Sequence, residues 1–411
     1  MLDLNFIKDN KDLVKKGVKA KNYNPEVVDR VLKVDETRRQ LIGDIEKLRA
    51  EKNKLTAQDI EKGKKIKETL KRLEPDLKSV EEELSNLLHQ IPNLPAKDVA
   101  ISKDESENKQ IKEWGKVTQF SFKPKSHNEL GESLDLIDTK RAAKVSGSRF
   151  GYLKNEAVVL EMALINLAFE TLIKEGFIPV LPPAMISIDS MKAMGYLDHQ
   201  GAENIYLLEK DNLILVGTAE QSIGPMHKDE VLSEKELPKR YVAFSACFRR
   251  EAGSYGKDTK GILRVHQFNK VEMFSFTKPE DSDKEHEYFL FLEEKLMQKL
   301  ELPYQVVKMC SGDLGDPAAR KYDIEAWFPS EKKYRETHST STCTDFQARR
   351  LNIKFKDKDG QLKFVHMLNG TAFSERPILA ILENYQQKDG CLLVPKVLQK
   401  YTGFKKICPK K

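Results

Sequence analysis

The 411-residue sequence predicts an α+β protein in two parts. An N-terminal antiparallel coiled-coil arm precedes a larger domain built on an antiparallel β-sheet with flanking helices. Three observations lead there. Apolar residues recur at heptad spacing through a Lys/Glu-rich segment that ends near Ile91. A proline-bounded, polar stretch follows it. Beyond that stretch, Tyr241–Phe276 reads as two strands joined by a long loop. The expected division is residues 1–108 for the arm domain and 109–411 for the sheet domain.

At this length one domain is large enough to bury a substantial core. A third of the residues are charged, yet the net charge is only +6. Any nucleic-acid footprint must therefore come from local clustering. Cys247, Cys310, Cys343, Cys391 and Cys408 are scattered, odd in number and without a CxxC pair. They predict free thiols in a reducing cytosol and no zinc site. The opening MLDLNFIKDN has neither signal- nor transit-peptide character, and no window of about 18 apolar residues offers a membrane span. A soluble, cytoplasmic protein with no membrane partner is the expectation.

Residues 1–30 read as a short helical region. From there Val34, Leu41, Leu48 and Leu55 recur every seven residues, with Ile45 between. Leu70, Leu73, Leu77, Val80, Leu84, Leu87 and Ile91 then alternate spacings of three and four. Two seams around the polar stretch Ala57–Gly63 predict an antiparallel hairpin. Pro75 lies inside the second seam and predicts a bend, or a helix that restarts there. Lys62, Lys64, Lys65 and Lys67 crowd the tip, flanked by Lys52, Lys54, Lys71 and Arg72. A solvated helix face and an RNA contact are equally open on these residues alone.

Pro92 and Pro95 end the coil, and the polar residues 96–114 read as a linker. Glu156–Lys174 predicts a helix capped by Gly176, followed by a strand, Phe177–Leu181, that prolines close. Thr218 and Glu220, in VGTAEQSI, stand where the strand Leu213–Val216 meets a helical stretch; helix capping is the plain role for Thr218. Residues 284–300 predict an amphipathic helix. A strand carrying Trp327 and Phe328 as core comes next, and then YRETHSTSTCTDFQARR, polar for a buried strand. His338 reads as a satisfied, partly buried histidine. Residues 366–386 read as strand, turn and helix, with Asn369-Gly370-Thr371 as the turn and Pro377 in the first helical turn.

In the central hairpin, Arg249 and Glu251 share one strand face, with Phe248 and Arg250 on the other. In the returning strand Arg264, His266, Phe268, Lys270 and Glu272 share a side, opposite the core-like Leu263, Val265, Val271 and Met273. If the two polar faces coincide, they offer a guanidinium for phosphate or carboxylate, a ring for a flat base, and carboxylates for amines. Those parts hold a nucleotide and an amino acid side by side. Incidental ion pairs on a solvated face are the alternative; the central aromatic and the loop with Gly253, Gly256 and Gly261 weigh against it. GSYGKD lacks P-loop spacing, so any ATP must be held by side chains of the sheet.

FRREAGS followed by RVHQFNKVE resembles the second signature motif of the class II aminoacyl-tRNA synthetases, in its seryl version. AAKVSGSRF, the TAE triplet, a motif-1-like helix, strand and proline, a motif-3-like arginine at Arg376 and the tail VPKVLQKYTG extend the resemblance over nearly the whole chain. It implies a class II catalytic domain and an enzyme of the serine–tRNA ligase type. Such an enzyme activates L-serine with ATP and transfers the seryl group to the 3′ end of tRNA(Ser), and by family habit tRNA(Sec). It also implies a homodimer, Mg²⁺ with the ATP, and a coiled-coil arm that grips the tRNA through Lys62, Lys64, Lys65 and Lys67.

Carried over residue by residue, Arg249 and Arg376 are the catalytic arginines. Arg249, Arg250, Glu251, Phe268, Glu336, Thr337, His338, Ser339 and Arg376 line ATP, with Glu336 and Ser339 toward its magnesium. Thr218, Ala219, Glu220, Arg249, Glu272, Asn369 and Thr371 hold serine. Thr337-His338 departs from the usual aliphatic-Ser pair, and the spacing from Thr371 to Arg376 is shorter than in the glycine-rich family motif. An aminoacyl ligase for a carrier protein would lack the arm, and a non-catalytic tRNA-binding paralogue would lack Arg249, Glu272 and Arg376.

Overall fold

The computed structural model describes residues 1–56, 58–252 and 261–410. Ala57 and the loop glycines Gly253 and Gly256 lie outside them. The chain forms two compact units, Met1–Leu94 and Pro95–Lys411.

In the first unit, two short helices precede α1 (Glu26–Asn53) and α2 (Ile60–His89). Ile45, Ile66 and Leu70 are buried between the long helices, with Leu48, Leu55, Leu73 and Leu77 packed on them. Arg49 meets Glu74 at 2.7 Å and Glu51 meets Lys62 at 3.8 Å. Partner numbers that fall on one helix as they rise on the other require the antiparallel hairpin. At the tip, Asp59 accepts from the Thr56 amide and hydroxyl. α2 runs through Pro75 as one helix of 30 residues, without the restart that its proline predicts. The residue is exposed, so its ring displaces no seam contact, and packing on both sides outweighs the hydrogen bond lost there.

The second unit is organised by an eight-stranded sheet. Its strands are β1 (Lys109–Trp114), β2 (Ile178–Val180), β3 (Lys239–Phe248), β4 (Gln267–Thr277), β5 (Tyr304–Lys308), β6 (Arg320–Phe328), β7 (Lys333–Thr342) and β8 (His366–Ser374). They lie in the order β1-β5-β6-β7-β8-β4-β3-β2. All neighbours are antiparallel except β2 and β3. Three helices, α3 (Glu156–Lys174), α4 (Ser282–Lys299) and α5 (Arg376–Asn384), supply the apolar side chains that cover one face. Leu164, Phe289, Leu296 and Leu379 pack there with Val271, Met273, Ile324 and Phe373. The predicted Gly176 does sit past the end of α3, at φ +84°.

Four expectations change. The segment 96–114 is part of the second unit, because its backbone is paired: the Ala96 amide donates to the Ala319 carbonyl at 2.8 Å and the Ser311 amide to that of Ala100. Its last six residues are β1, paired with β5. Asn369-Gly370-Thr371 is no turn but the middle of β8. Gly370 pairs with Met273 and Thr340, and a Cβ there would stand 3.0 Å from the Phe289 ring; the glycine serves helix approach. Phe328 is core, whereas Trp327 is half-buried, edge-on to Tyr334. Finally, Cys391 and Cys408 form a disulfide. Leu392 pairs with Ile407 in a two-residue ladder, which sets the flanking cysteines opposite one another. Cys247, Cys310 and Cys343 are buried and stand outside that disulfide.

Candidate active site

Opposed residues of an antiparallel pair point to the same side. Phe268 opposes Cys247 and Glu272 opposes Ala243, and the Arg249 amide extends the ladder to the His266 carbonyl. The two polar faces read from the sequence are therefore one face. It lies opposite the helix-covered core and carries the charged groups.

Arg249 stands over the Phe268 ring, 5.1 Å from guanidinium carbon to centroid, and its Nε donates to the Gly217 carbonyl at 3.1 Å. That bond ties the central hairpin to the TAE segment. There Thr218 is buried with no partner for its hydroxyl, and the short helix Glu220–Ile223 begins after Ala219 without a side-chain cap. The capping role for Thr218 is thereby removed. Glu220 is buried and accepts from Tyr196 at 2.8 Å and Gln347 at 3.3 Å. Burial raises its pKa against the pull of Lys270.

Beside it, Glu272 is 2.5 Å from Lys270 Nζ, with side chains only 2% and 9% exposed. Burial pushes Glu272 up to about 7; the Glu220 charge adds to the rise and Lys270 opposes it. Thr371 opposes Glu272 across the β8 ladder. Asn369 lies deeper, opposite Phe274, with its amide 3.9 Å from the Cys343 sulfur.

Two bulges decide which side chains reach this face. On β7, Glu325 opposes Glu336 while Ile324 opposes His338, leaving Thr337 as the extra residue. Glu336 and Ser339, three apart, thus both fall on the polar face with Asp323 and Glu325. On β8, Ala372 is the extra residue between Thr371 and Phe373. Thr371 stays at the site and Phe373 turns to the core.

The first bulge sets the side chains of two residues assigned to ATP apart from that face. Thr337 is buried and its hydroxyl donates to the Ile324 carbonyl. His338 is buried edge-on to Phe373, and burial lowers its pKa to about 4, so it is a neutral core imidazole. Neither side chain is turned to the polar face. Glu251 is 2.5 Å from Arg264, and Arg250 is exposed with its backbone bonded to Asn204.

Arg376, at the start of α5, meets Glu336 at 3.0 Å, and Glu336 is 44% exposed. Desolvation is the largest single influence on Glu336 and works to raise its pKa. The Arg376 and Lys321 charges, the Arg376 hydrogen bond and the Arg249 charge together outweigh it and hold the group below the usual carboxylate range. Asp323 is buried, which raises its pKa despite Lys321 at 3.2 Å. Among the described residues no three His, Cys, Asp or Glu side chains converge as a metal cluster. Glu336 and Ser339 fit a hard cation that brings most of its oxygen ligands as phosphate and water.

Lys270, Tyr196, Gln347, Lys321 and Asp323 belong to the site and were not assigned to it from sequence. The strand alternation places Lys270 on the face and could have found it. Tyr196 and Gln347 arrive from distant segments, and no local pattern marks them.

Comparison with known proteins matches residues 1–95 to the seryl-tRNA synthetase N-terminal domain and residues 206–385 to the tRNA synthetase class II core domain (G, H, P, S and T). The chain is 46% identical to a serine–tRNA ligase of Dictyoglomus thermophilum, over 100% of both chains. It is 45% identical to that of Pyrococcus furiosus, over 100% of this chain and 98% of the relative. Among solved structures, seryl-tRNA synthetase from Pyrococcus horikoshii complexed with ATP superimposes with a TM-score of 0.95, at 42% identity and full coverage of both chains.

Proposed function

The chain belongs to the seryl-tRNA synthetase family, and from that premise we propose how its own side chains carry the reaction. The activity is ATP-dependent ligation of serine to tRNA. The serine carboxylate attacks the α-phosphorus of ATP in line, pyrophosphate leaves, and a 3′-terminal ribose hydroxyl of the tRNA then displaces AMP. No enzyme nucleophile is needed, so catalysis is positioning and charge neutralisation.

The observation that carries the assignment is the single polar face on which Arg249, Phe268, Lys270, Glu272 and Thr371 meet Thr218 and Glu220. Adenine stacks on the face of Phe268 that Arg249 leaves open, and Glu251 accepts from its amino group. Arg249 clamps the serine carboxylate and the α-phosphate; Arg250 adds charge at the rim. Arg376 takes the γ-phosphate, leaving a half-exposed partner whose loss costs little. Glu272 and Glu220 hold the serine ammonium. Thr218, whose hydroxyl has no other partner, meets the serine hydroxyl together with Thr371, with Ala219 and Asn369 lining the pocket. Mg²⁺ supplies charge neutralisation on the phosphates, beside Glu336 and Ser339.

The Lys-rich tip of the α1–α2 hairpin is exposed at Lys62, Lys64, Lys65 and Lys67 and suits the phosphates of a long variable arm, in tRNA(Ser) and tRNA(Sec) alike. Val158, Val159, Met162 and Ile173 on α3, with Ile178, Leu181 and Met185 around β2, are exposed apolar residues beside a sheet edge. They suit a second copy of this chain. No described helix is long and apolar enough to cross a membrane; the proposed location is the cytoplasm.

Serine-dependent ATP–pyrophosphate exchange tests the assignment. Wild type should exchange, and Glu272→Gln should lose serine affinity at least about tenfold with ATP affinity kept. A Glu272→Gln enzyme with unchanged serine affinity refutes the placement of the amine.

A further inference from the structure

The amino-acid pocket holds two buried carboxylates with different partners. Glu220 is held by neutral donors, the Tyr196 hydroxyl and the Gln347 amide. Glu272 is held by a cation, Lys270, at 2.5 Å. Under the proposed function Glu272 takes the serine ammonium, yet a primary ammonium already stands against it. We propose that Lys270 is the resident counter-ion of the empty pocket, displaced from Glu272 by the ammonium of incoming serine.

The exchange replaces one primary ammonium by another at the same carboxylate, so Glu272 keeps a paired charge throughout. Lys270 also has somewhere to go. Phe268 and Arg249 lie next along the same strand face, where the serine carboxylate and the α-phosphate gather negative charge. Successive same-face residues are roughly 7 Å apart, within reach of the flexible lysine stem. Lys270 is thus a positioning residue for the amine and not a fixed strut.

The charged and titratable groups around Glu272 come from several elements. Lys270 lies on its own strand, Glu220 on the TAE helix and Arg249 beyond β3. Tyr196, Cys247 on β3 and Glu293 on α4 each feel its charge. Burial holds Glu272 up near pH 7 even with Lys270 present. Only its ionised form accepts the ammonium, so serine affinity should improve as pH rises through that value. Without Lys270 the inflection must move higher.

The experiment reads KM for serine and for ATP by pyrophosphate exchange between pH 6 and 8.5, on the full-length enzyme. Lys270→Arg puts a bidentate fork on Glu272 that serine displaces poorly, so KM for serine should rise about tenfold or more while KM for ATP stays within about twofold. Lys270→Met should move the serine inflection up by about one pH unit or more. The inference is overturned if Lys270→Arg binds serine as wild type does, since a fixed strut keeps working as arginine. It is equally overturned if the inflection of a folded Lys270→Met enzyme does not move, or if KM for ATP rises in step with that for serine. Should Lys270→Met fail to fold by thermal melting, Lys270→Arg decides alone. Glu272→Gln separates the two layers. If it binds serine normally the amine assignment itself falls; if it binds serine poorly while Lys270→Arg is normal, only the displacement falls.

Discussion

Arg249 lies over the ring of Phe268, 5.1 Å from guanidinium carbon to ring centroid, and donates to the Gly217 carbonyl. The group proposed to clamp the reacting phosphate therefore also braces the proposed adenine platform and the backbone beside Thr218. Three parts of the site move together if that side chain is lost.

Arg249→Ala should accordingly lower pyrophosphate exchange about 100-fold or more, the usual loss when one transition-state donor is removed. Arg249→Lys should recover part of it, since a point charge cannot reproduce the fork. Exchange near wild type in an alanine variant that circular dichroism shows to be folded would remove Arg249 from the chemistry.

Selectivity should follow from the unpartnered Thr218 hydroxyl. A pocket built to hydrogen-bond the serine hydroxyl rejects alanine by roughly 10⁴-fold, because its own polar groups are left unpaired. Thr218→Val should lower serine activation while KM for ATP changes little. Equal activation of alanine and serine by the wild type would contradict the pocket assignment.

The arm has its own buried seam and supplies none of the residues assigned to ATP or serine. Deleting Thr37–Leu87 and closing the gap with a short loop should leave adenylate formation almost untouched and severely reduce transfer to tRNA. Neutralising Lys62, Lys64, Lys65 and Lys67 together should reproduce part of that loss. It should also flatten the salt dependence of tRNA affinity, since phosphate contacts release counterions. A deletion variant that charges tRNA at the wild-type rate rules out the arm's role.

The disulfide Cys391–Cys408 closes a sequence separation of 17 residues. A loop of that size is worth about 3 kcal/mol on the chain-entropy account, so Cys408→Ser should melt several degrees lower than the oxidised wild type. Reductant should lower the wild-type midpoint and leave the variant's alone. Thiol titration of the unreduced, denatured protein should find the three remaining cysteines; five reactive thiols and an unchanged midpoint would contradict the crosslink.

Much of this was legible locally. The coiled-coil seam is a periodicity within one segment, and a heptad repeat needs no knowledge of the partner to be read. The faces of β3 and β4 follow from alternation, which put Phe268 with Glu272 on one strand and Arg249 with Glu251 on the other; only the pairing of the strands made these one face. Lys270 was on that same face and waited only for its distance to Glu272. Asn369-Gly370-Thr371 misled because Asn-Gly is a turn signal whose local logic cannot see Phe289 and Glu293 packing against the glycine.

What the sequence by itself determined is thus the arm, the two-strand platform and the residue types of the site, all set by patterns of short range. Tertiary structure alone decided which of those residues face one another. The bulges at Thr337 and Ala372 exist only through pairing with neighbouring strands, and each reverses the alternation beyond it. They bring Ser339 round to Glu336 and turn His338 and Phe373 inward. Tyr196, Gln347 and the Cys391–Cys408 bond likewise depend on contacts between distant segments. Burial, which raises Glu272 and Glu220 and leaves Thr218 without a partner, is a property of the packed whole. No stretch of chain carries it alone.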